Sequence, residues 1–506
     1  MSRKFISTAA LASLLLAASA ASADAKTFVV SKGGKFPTIQ SAVNAASPGD
    51  TIEVKSGTYR ENVIVHLNRS GLTIDGSGKV IIDAFPASGV AGGPGIRVFA
   101  SDVTLRDLTI ENARKTGSLI GAGVYVSAAR VKLEDLKVNN CHDSGLFVTS
   151  SEAEIRDCHV RACGDGLNAK GGGISVKDFT AERVYDGIQM VGNGARVTEC
   201  EVFQASSYGV EIEGNDARIK DCYVTGASSS AFDIVGDDAR VTDCRTEAVY
   251  HFVRVTGHRA LIKKNKIRRQ YSDAIELTGN DHKVLDNSIA DASGNGIDIE
   301  GEGATVSGNK IQRTYGTAVY VNGGGFVITD NDLRESTDGY EGISVRNAIG
   351  GLMADNEIRD NSGGGINIDD SCQSLEIRDN KVTSCGMHTY EGFVIDGNSH
   401  LVVDNVASKC GKDGFRLRGA EHVLKGNEAR DSECDGFDLE GSHHQLRDNL
   451  AKGNGAEGID VSSNNTLVKN NVCEKNRLDL ANDGLNNVFQ GNDFKSGGPT
   501  VPGQLD

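Results

Sequence analysis

Short apolar–x–apolar triplets punctuate this chain, separated by glycine, asparagine, aspartate and serine. In "GNGIDIEGEGATVSGNKIQ", Gly294 to Gln312, three such segments fall in one span: Ile297-Asp298-Ile299, Ala304-Thr305-Val306 and Lys310-Ile311. Alternation at period two predicts strand, not helix. The element Gly-apolar-x-apolar, with Ala or Phe allowed in the first place, begins at Gly123, Gly145, Gly166, Gly187, Gly209, Ala231, Phe252, Ala274, Gly296 and Ala318. It continues at Gly342, Gly365, Gly392, Gly414, Gly436 and Gly458, mostly at intervals of 21 or 22 residues. The longer intervals before Gly342 and Gly392 predict inserted loops. Strands this short bury no core alone, so each unit must stack on the next.

Stacking places equal repeat positions in vertical files. The reading is all-β: one right-handed parallel β-helix of roughly 18 coils with three parallel sheets. None of the six prolines lies between Pro94 and Pro499, where one would break a ladder. Asn265, Asn287, Asn309, Asn331, Asn356, Asn380, Asn405, Asn427, Asn449, Asn471 and Asn492 share one position and predict a stacked ladder, with Asn also suited to a left-handed turn. Cys158, Cys200, Cys222 and Cys244 hold that position earlier and are expected as stacked thiols. Cys141 with Cys163, and Cys410 with Cys434, lie near one corner of adjacent coils and are the disulfide candidates. Phe393, Phe415 and Phe437 form a core column. In "PTIQSAVNAAS", Pro37 to Ser47, the proline start and the Ile39/Val43 spacing predict a short N-terminal capping helix.

Residues 1–23 read as a signal peptide: Arg3 and Lys4, an apolar run through Leu16, and Ala21-Ser22-Ala23 at the cleavage site. The solenoid spans 24–496, and 497–506 is a tail. The expectation is an exported protein, periplasmic or extracellular, with no membrane insertion. A formal charge of −16 argues against nucleic acid as partner. The absence of Trp and the low aromatic content weaken the case for an aromatic sugar-binding platform.

The opening "FPTIQSAVNAASPGDTIEVKSGTYRENVIV", followed by Gly-Ile-x-Ile and Gly-Asn-x-Ile coils, resembles the pectin-lyase-like right-handed β-helix superfamily. The resemblance covers nearly the whole chain after the signal. It implies the fold and, in general, a polysaccharide lying along one parallel sheet. The superfamily holds lyases, epimerases, hydrolases, esterases and non-catalytic proteins. The Asp-Pro-His signature of mannuronan C5-epimerases is absent, and "AFDIVG", Ala231 to Gly236, matches pectin methylesterases only through the repeat itself.

The x residue of each element faces outward. Its column includes Tyr125, Phe147, Asn168, Gln189, Glu211, Asp233, Arg254, Glu276, Asp298 and Tyr320. Tyr208, Tyr250, His251, Arg269 and Tyr271 lie at the turns entering these strands. A base and an acid beside a neutralised carboxylate suit β-elimination or C5 epimerisation of a uronic acid. His251, Tyr250 and Arg254 are the catalytic candidates. Gln189, Tyr208, Glu211, Asp233, Arg269, Glu276, Asp298 and Tyr320 are the substrate-binding candidates. Glu211, Glu213 and Asp233 are the candidate calcium ligands. Two other classes fit the same face: a non-catalytic carbohydrate- or protein-binding scaffold, and a glycoside hydrolase built on a carboxylate pair. Cross-strand charge ladders also stabilise sheets with no further role. His142 and His388 read as solvated turn residues, and His443-His444 as an isolated pair.

Overall fold

The computed structural model describes residues 25–85, 92–386 and 389–495. The proposed signal peptide, the tail from 497 and His388 lie outside these. The chain winds a right-handed parallel β-solenoid of about 21 turns. The repeat count was lower, at roughly 18, because the first and last turns carry no glycine-led element. Thr27–Val30, Val63–Val65 and Leu478–Asn482 are strands all the same. Every strand pairing is parallel and joins one coil to the next, as in Ile188↔Val210, Arg196↔Arg218 and Glu201↔Tyr223. These three pairings sample the three sheets, here called front, second and third in chain order within a coil.

Inward residues alternate with outward ones on all three faces. Val210 and Ile212 are buried while Glu211 and Glu213 point out. Phe393, Phe415 and Phe437 stack face to face, with ring centroids 4.5 and 5.0 Å apart. The first position of the front strand favours glycine because there is no room for more. A Cβ at Gly209 would lie 2.6 Å from the Ala231 carbonyl oxygen and 2.6 Å from a Val224 methyl.

The asparagine ladder forms as expected. Each Oδ1 accepts both the backbone N–H and the side-chain N–H of the preceding Asn, at 3.0 Å in the Asn287–Asn309 step. The Nδ2 also donates to a backbone carbonyl, Val284 in the case of Asn309. The left-handed turn residue, however, is the one before the ladder. Asp286, Asp330, Asp379 and Asp448 take φ of +55°, +58°, +55° and +55°. The small polar side chain of Asp tolerates that conformation, while the buried Asn serves the ladder.

The eleven cysteines are all unbridged, which corrects both expected disulfides. Side chains at one repeat position leave successive rungs in the same direction, which suits a disulfide poorly, and the Cys141 and Cys163 thiols meet as hydrogen-bonding neighbours. The Cys163 Sγ instead accepts the Cys141 N–H at 3.4 Å, while the Cys141 thiol donates to the Asn139 carbonyl at 3.5 Å. Cys410 and Cys434 are in different files. Cys434 stacks on Lys412 through a main-chain bond of 3.0 Å, and the file of Cys410 runs from Cys385 to Ser432. Burial pushes the Cys158 and Cys410 thiols up to about 12.

His444 is likewise not half of an isolated pair. His400, His422 and His444 stack at 5.0 Å with nearly parallel rings. Each Nδ1 accepts a backbone N–H from the preceding coil, and each Nε2 donates to a carbonyl four residues back. His142 is a solvated turn residue beside Asp143.

The helix Ile39–Ala45 caps the N-terminal end. Thr38 accepts the Ser41 N–H, and the Glu61 carboxylate takes the free N–H groups of Ile39 and Gln40 at 2.8 and 2.9 Å. Ile39, Ala42 and Val43 close the core. Among the described residues, no helix is long and apolar enough to cross a membrane.

Candidate functional site

The outward column of the front sheet is continuous. Strand register sets Gln189 beside Glu211, then Asp233, Arg254, Glu276, Asp298 and Tyr320, one per rung. The side chains interact up the file. Asn168 donates to Gln189 at 2.5 Å, and Gln189 to Glu211 at 2.7 Å. Arg254 donates through Nε at 2.8 Å and Nη2 at 2.6 Å to the same Asp233 oxygen. The Arg346 guanidinium lies over the Tyr320 ring.

A second polar column runs beside the first and escaped the sequence reading except at Tyr208 and His251. It is the residue immediately before the glycine place: Asp165, Asp186, Ser230, Asp273, Asn295 and their equivalents. Here the chain turns into the front sheet, and the side chain caps the turn of the next coil. Asp186 accepts the Tyr208 N–H at 3.0 Å, Asp273 the Asn295 N–H at 2.5 Å, and Asn295 the Thr317 N–H at 2.9 Å. Sequence did carry the signal, as a polar residue preceding nearly every repeat glycine. The two columns together make a polar strip along the front face.

At the centre of the strip His251 is buried, 8 % exposed. Its Nδ1 lies 3.0 Å from the Asp273 carbonyl oxygen, an acceptor, so Nδ1 carries the proton and Nε2 is the basic nitrogen. The same Nδ1 is 3.7 Å from Glu276. Tyr250, half exposed, stands edge-on to the imidazole with centroids 4.8 Å apart. Ligand atoms of His251, Asp273 and Glu276 lie within 4.8 Å of one another.

The expected calcium set does not gather. Asp233 turns to Arg254, Glu211 to Gln189, and Glu213 points to solvent from the neighbouring outward column. Arg269 also stays apart: it lies in the third-sheet strand Lys266–Gln270, 68 % exposed, and pairs with Glu247 at 3.0 Å. Asp298 is pushed up to about 6, first by burial, then by the nearby carboxylates of Asp273, Glu300 and Glu276, against a hydrogen bond from Asn295. Burial also raises Glu211 and Asp186.

The strip continues past the centre. Lys412 and Arg416 both reach Glu391, at 2.8 and 2.5 Å. Beyond them Asp438 is raised to about 6 by burial and neighbouring carboxylates. Asp435 goes to about 8, through burial and a hydrogen bond with Glu457. Toward the N-terminus the strip gives way to neighbouring rings, Phe99 tilted against Tyr125 and Tyr125 stacked on Phe147, with centroids 6.1 and 5.7 Å apart. They floor a cleft of about 370 Å³ walled by Ser118, Leu119 and Ile120.

Comparison with known proteins agrees with this architecture. The family described as "Right handed beta helix region" matches residues 51–185, 251–392 and 388–501. No curated protein matches. Among solved structures the chain is similar to a rhamnogalacturonan lyase at 13 % identity, TM-score 0.35, covering 51 % of this chain and 82 % of that one. It is similar to a carrot pectin methylesterase at 16 % identity, TM-score 0.28, covering 46 % and 82 %. An alginate lyase from Paenibacillus gives 13 % identity, TM-score 0.29, covering 69 % and 99 %. With the family matching most of its length and the strands of the described residues pairing in parallel from coil to coil, the chain belongs to the right-handed β-helix family.

Proposed function

We propose that this chain is an exported enzyme that binds a polysaccharide along the front strip and cleaves it by acid–base chemistry near the strip's centre. The observation that carries the reading is the pair Glu276 and Asp298. They stand on adjacent rungs, and burial holds the Asp298 proton up to about 6. Adjacent rungs are ~4.8 Å apart, and carboxyl groups about 5–5.5 Å apart are the spacing of retaining glycoside hydrolysis. Asp298 is the acid that protonates the leaving oxygen. Glu276 is the nucleophile, and His251 positions it. A divalent ion held by His251, Asp273 and Glu276 would compete with that role, so a chelator should not lower hydrolysis.

A second reading is β-elimination or C5 epimerisation of a uronate. The basic Nε2 of His251 beside Tyr250 favours it. Arg254, which that chemistry needs for the uronate carboxylate, already leans on Asp233 through two of its nitrogens. Incubation with a panel of neutral, amino and uronate polymers separates the readings. New reducing ends without unsaturated sugars support hydrolysis. Unsaturated ends or solvent hydrogen at C5 support the second reading. Binding without any product, surviving His251→Ala, leaves only a scaffold.

A further inference from the structure

The exposed tyrosines among the described residues are Tyr185, Tyr250, Tyr271, Tyr315, Tyr340 and Tyr390. All six lie in the segments that lead from the third sheet into the front sheet. Tyr185 sits between Thr180–Val184 and Ile188–Val191, and Tyr271 between Lys266–Gln270 and Ile275–Thr278. Tyr315 precedes Val319–Asn322, Tyr340 precedes Ile343–Arg346, and Tyr390 precedes Phe393–Asn398. The row therefore borders one long edge of the polar strip. From Tyr185 to Tyr390 it spans nine rung steps, about 43 Å at ~4.8 Å each.

The fold does not demand a ring at Tyr185, Tyr250, Tyr271 or Tyr315. The same main-chain file that holds Tyr185 and Tyr250 holds Ser207, Ser229 and Ser272, and the file of Tyr271 and Tyr315 holds Ser293. Serine and tyrosine alternate there with the same coil-to-coil bonds. Large rings left in water at a position where serine suffices point to a ligand with flat apolar faces and polar edges.

The strip's charge sets the sign of that ligand. On other faces carboxylates sit in ion pairs, such as Asp102–Arg130, Asp238–Arg259 and Asp291–Arg313. At the centre of the strip Glu211 is held by an amide, Asp298 by an amide, and Asp273 by a backbone N–H, unlike Glu391 farther along, which pairs with Lys412 and Arg416. The central guanidinium, Arg254, is occupied by Asp233. A polyuronate would meet net repulsion here, whereas an ammonium group would relieve it.

We propose that the tyrosine row is the wall of a glycan cleft, and that rim and strip together select a polymer of amino sugars carrying protonated amines. This rests on reading the strip as a glycan site and names the class of glycan. It replaces the expectation of a uronate and the low weight given to aromatic contacts from composition alone.

The test uses the full chain with three probes of equal length: a glucosamine oligomer, its N-acetylated form and a galacturonate oligomer. With no Trp among eleven tyrosines in the sequence, the part of the tyrosine-fluorescence quenching that the double variant below loses reports the rim, and calorimetry gives affinity. The glucosamine oligomer should bind tightest and weaken with salt. Tyr271→Ser with Tyr315→Ser should lower that affinity about tenfold and leave the circular dichroism unchanged. Equal or tighter binding of the N-acetylated or galacturonate probe, or unaltered binding by the double variant, overturns the proposal. Tight glucosamine binding with no cleavage of any polymer would sink the enzyme reading and leave this one standing. Cleavage of a neutral or uronate polymer at the same rate by the double variant does the reverse.

Discussion

Replacing Asn309 by Ala removes one link from the buried ladder. Its Oδ1 accepts the Asn287 backbone N–H and side-chain N–H, both at 3.0 Å. Its Nδ2 donates to the Val284 carbonyl at 2.8 Å and to Asn331 at 3.0 Å. Asn287 is 1 % exposed, so water does not replace what is lost. Two buried donors lose their acceptor, at about 1–3 kcal/mol each, for a total of about 2–6 kcal/mol. Asn309→Cys is the control, because earlier rungs hold cysteine in this file and the Cys222 sulfur accepts the Cys200 N–H. Cysteine restores one weak acceptor and should recover part of the loss. A solenoid of this length need not unfold in one step, so the assay is amide exchange at Asn287 and its neighbours, alongside urea unfolding followed by circular dichroism. Exchange should accelerate most at Asn287 and decline over the adjacent coils. A loss below about 1 kcal/mol, or acceleration spread evenly along the chain, would refute the claim that these bonds are unreplaced.

The histidine stack predicts acid lability: burial holds His400, His422 and His444 below the usual imidazole range, His422 at about 3. The unfolded chain therefore binds more protons between about 6.5 and 3. Stability is full above that window and falls as pH drops through it, and His422→Gln should flatten melting temperature against pH. If Asp298 is the acid, hydrolysis should decline as pH rises above about 6, and Asp298→Asn should abolish it at every pH. An unshifted profile in that variant would remove Asp298 from the mechanism. Thiol titration of the unfolded chain, prepared without reductant, should count all eleven cysteines free; a count of nine or seven would restore one or both disulfides.

Most of the architecture was legible because a solenoid repeats its errors and its successes alike. One correct register at Glu211 and Asp233 carried the whole outward file to Tyr320. The same arithmetic failed where corners were involved. Cys434 lies two residues before its repeat glycine and Cys410 four, a difference invisible until the corner geometry is known. The histidine ladder was legible in principle, since His400, His422 and His444 are spaced by the coil period. His443 beside His444 drew the eye to a pair instead of a file. Arg269 was misplaced for a similar reason. It precedes the front strand closely in sequence, but the chain turns after it, and the third sheet keeps it. The low overall aromatic content concealed the rim, because composition does not record that six tyrosines share one edge.

The capping column shows why polarity alone is weak grounds for function in this fold. A carboxylate or amide before each front strand is explained by the N–H it accepts from the next coil, at Asp186 and Asn295 alike. The folding requirement is met by either, and it calls for an acceptor, not for charge. A file assembled only to cap turns would be as stable with asparagine throughout, and more so, since burial raises the capping carboxylates Asp186 and Asp413 and costs free energy at neutral pH. These acidic choices thus run against stability. The tyrosines beside them are indifferent to it, since serine fills their files equally well. Residues that the coil neither needs nor prefers, gathered along one edge and one strip of a single face, are the ones whose presence a ligand has to explain.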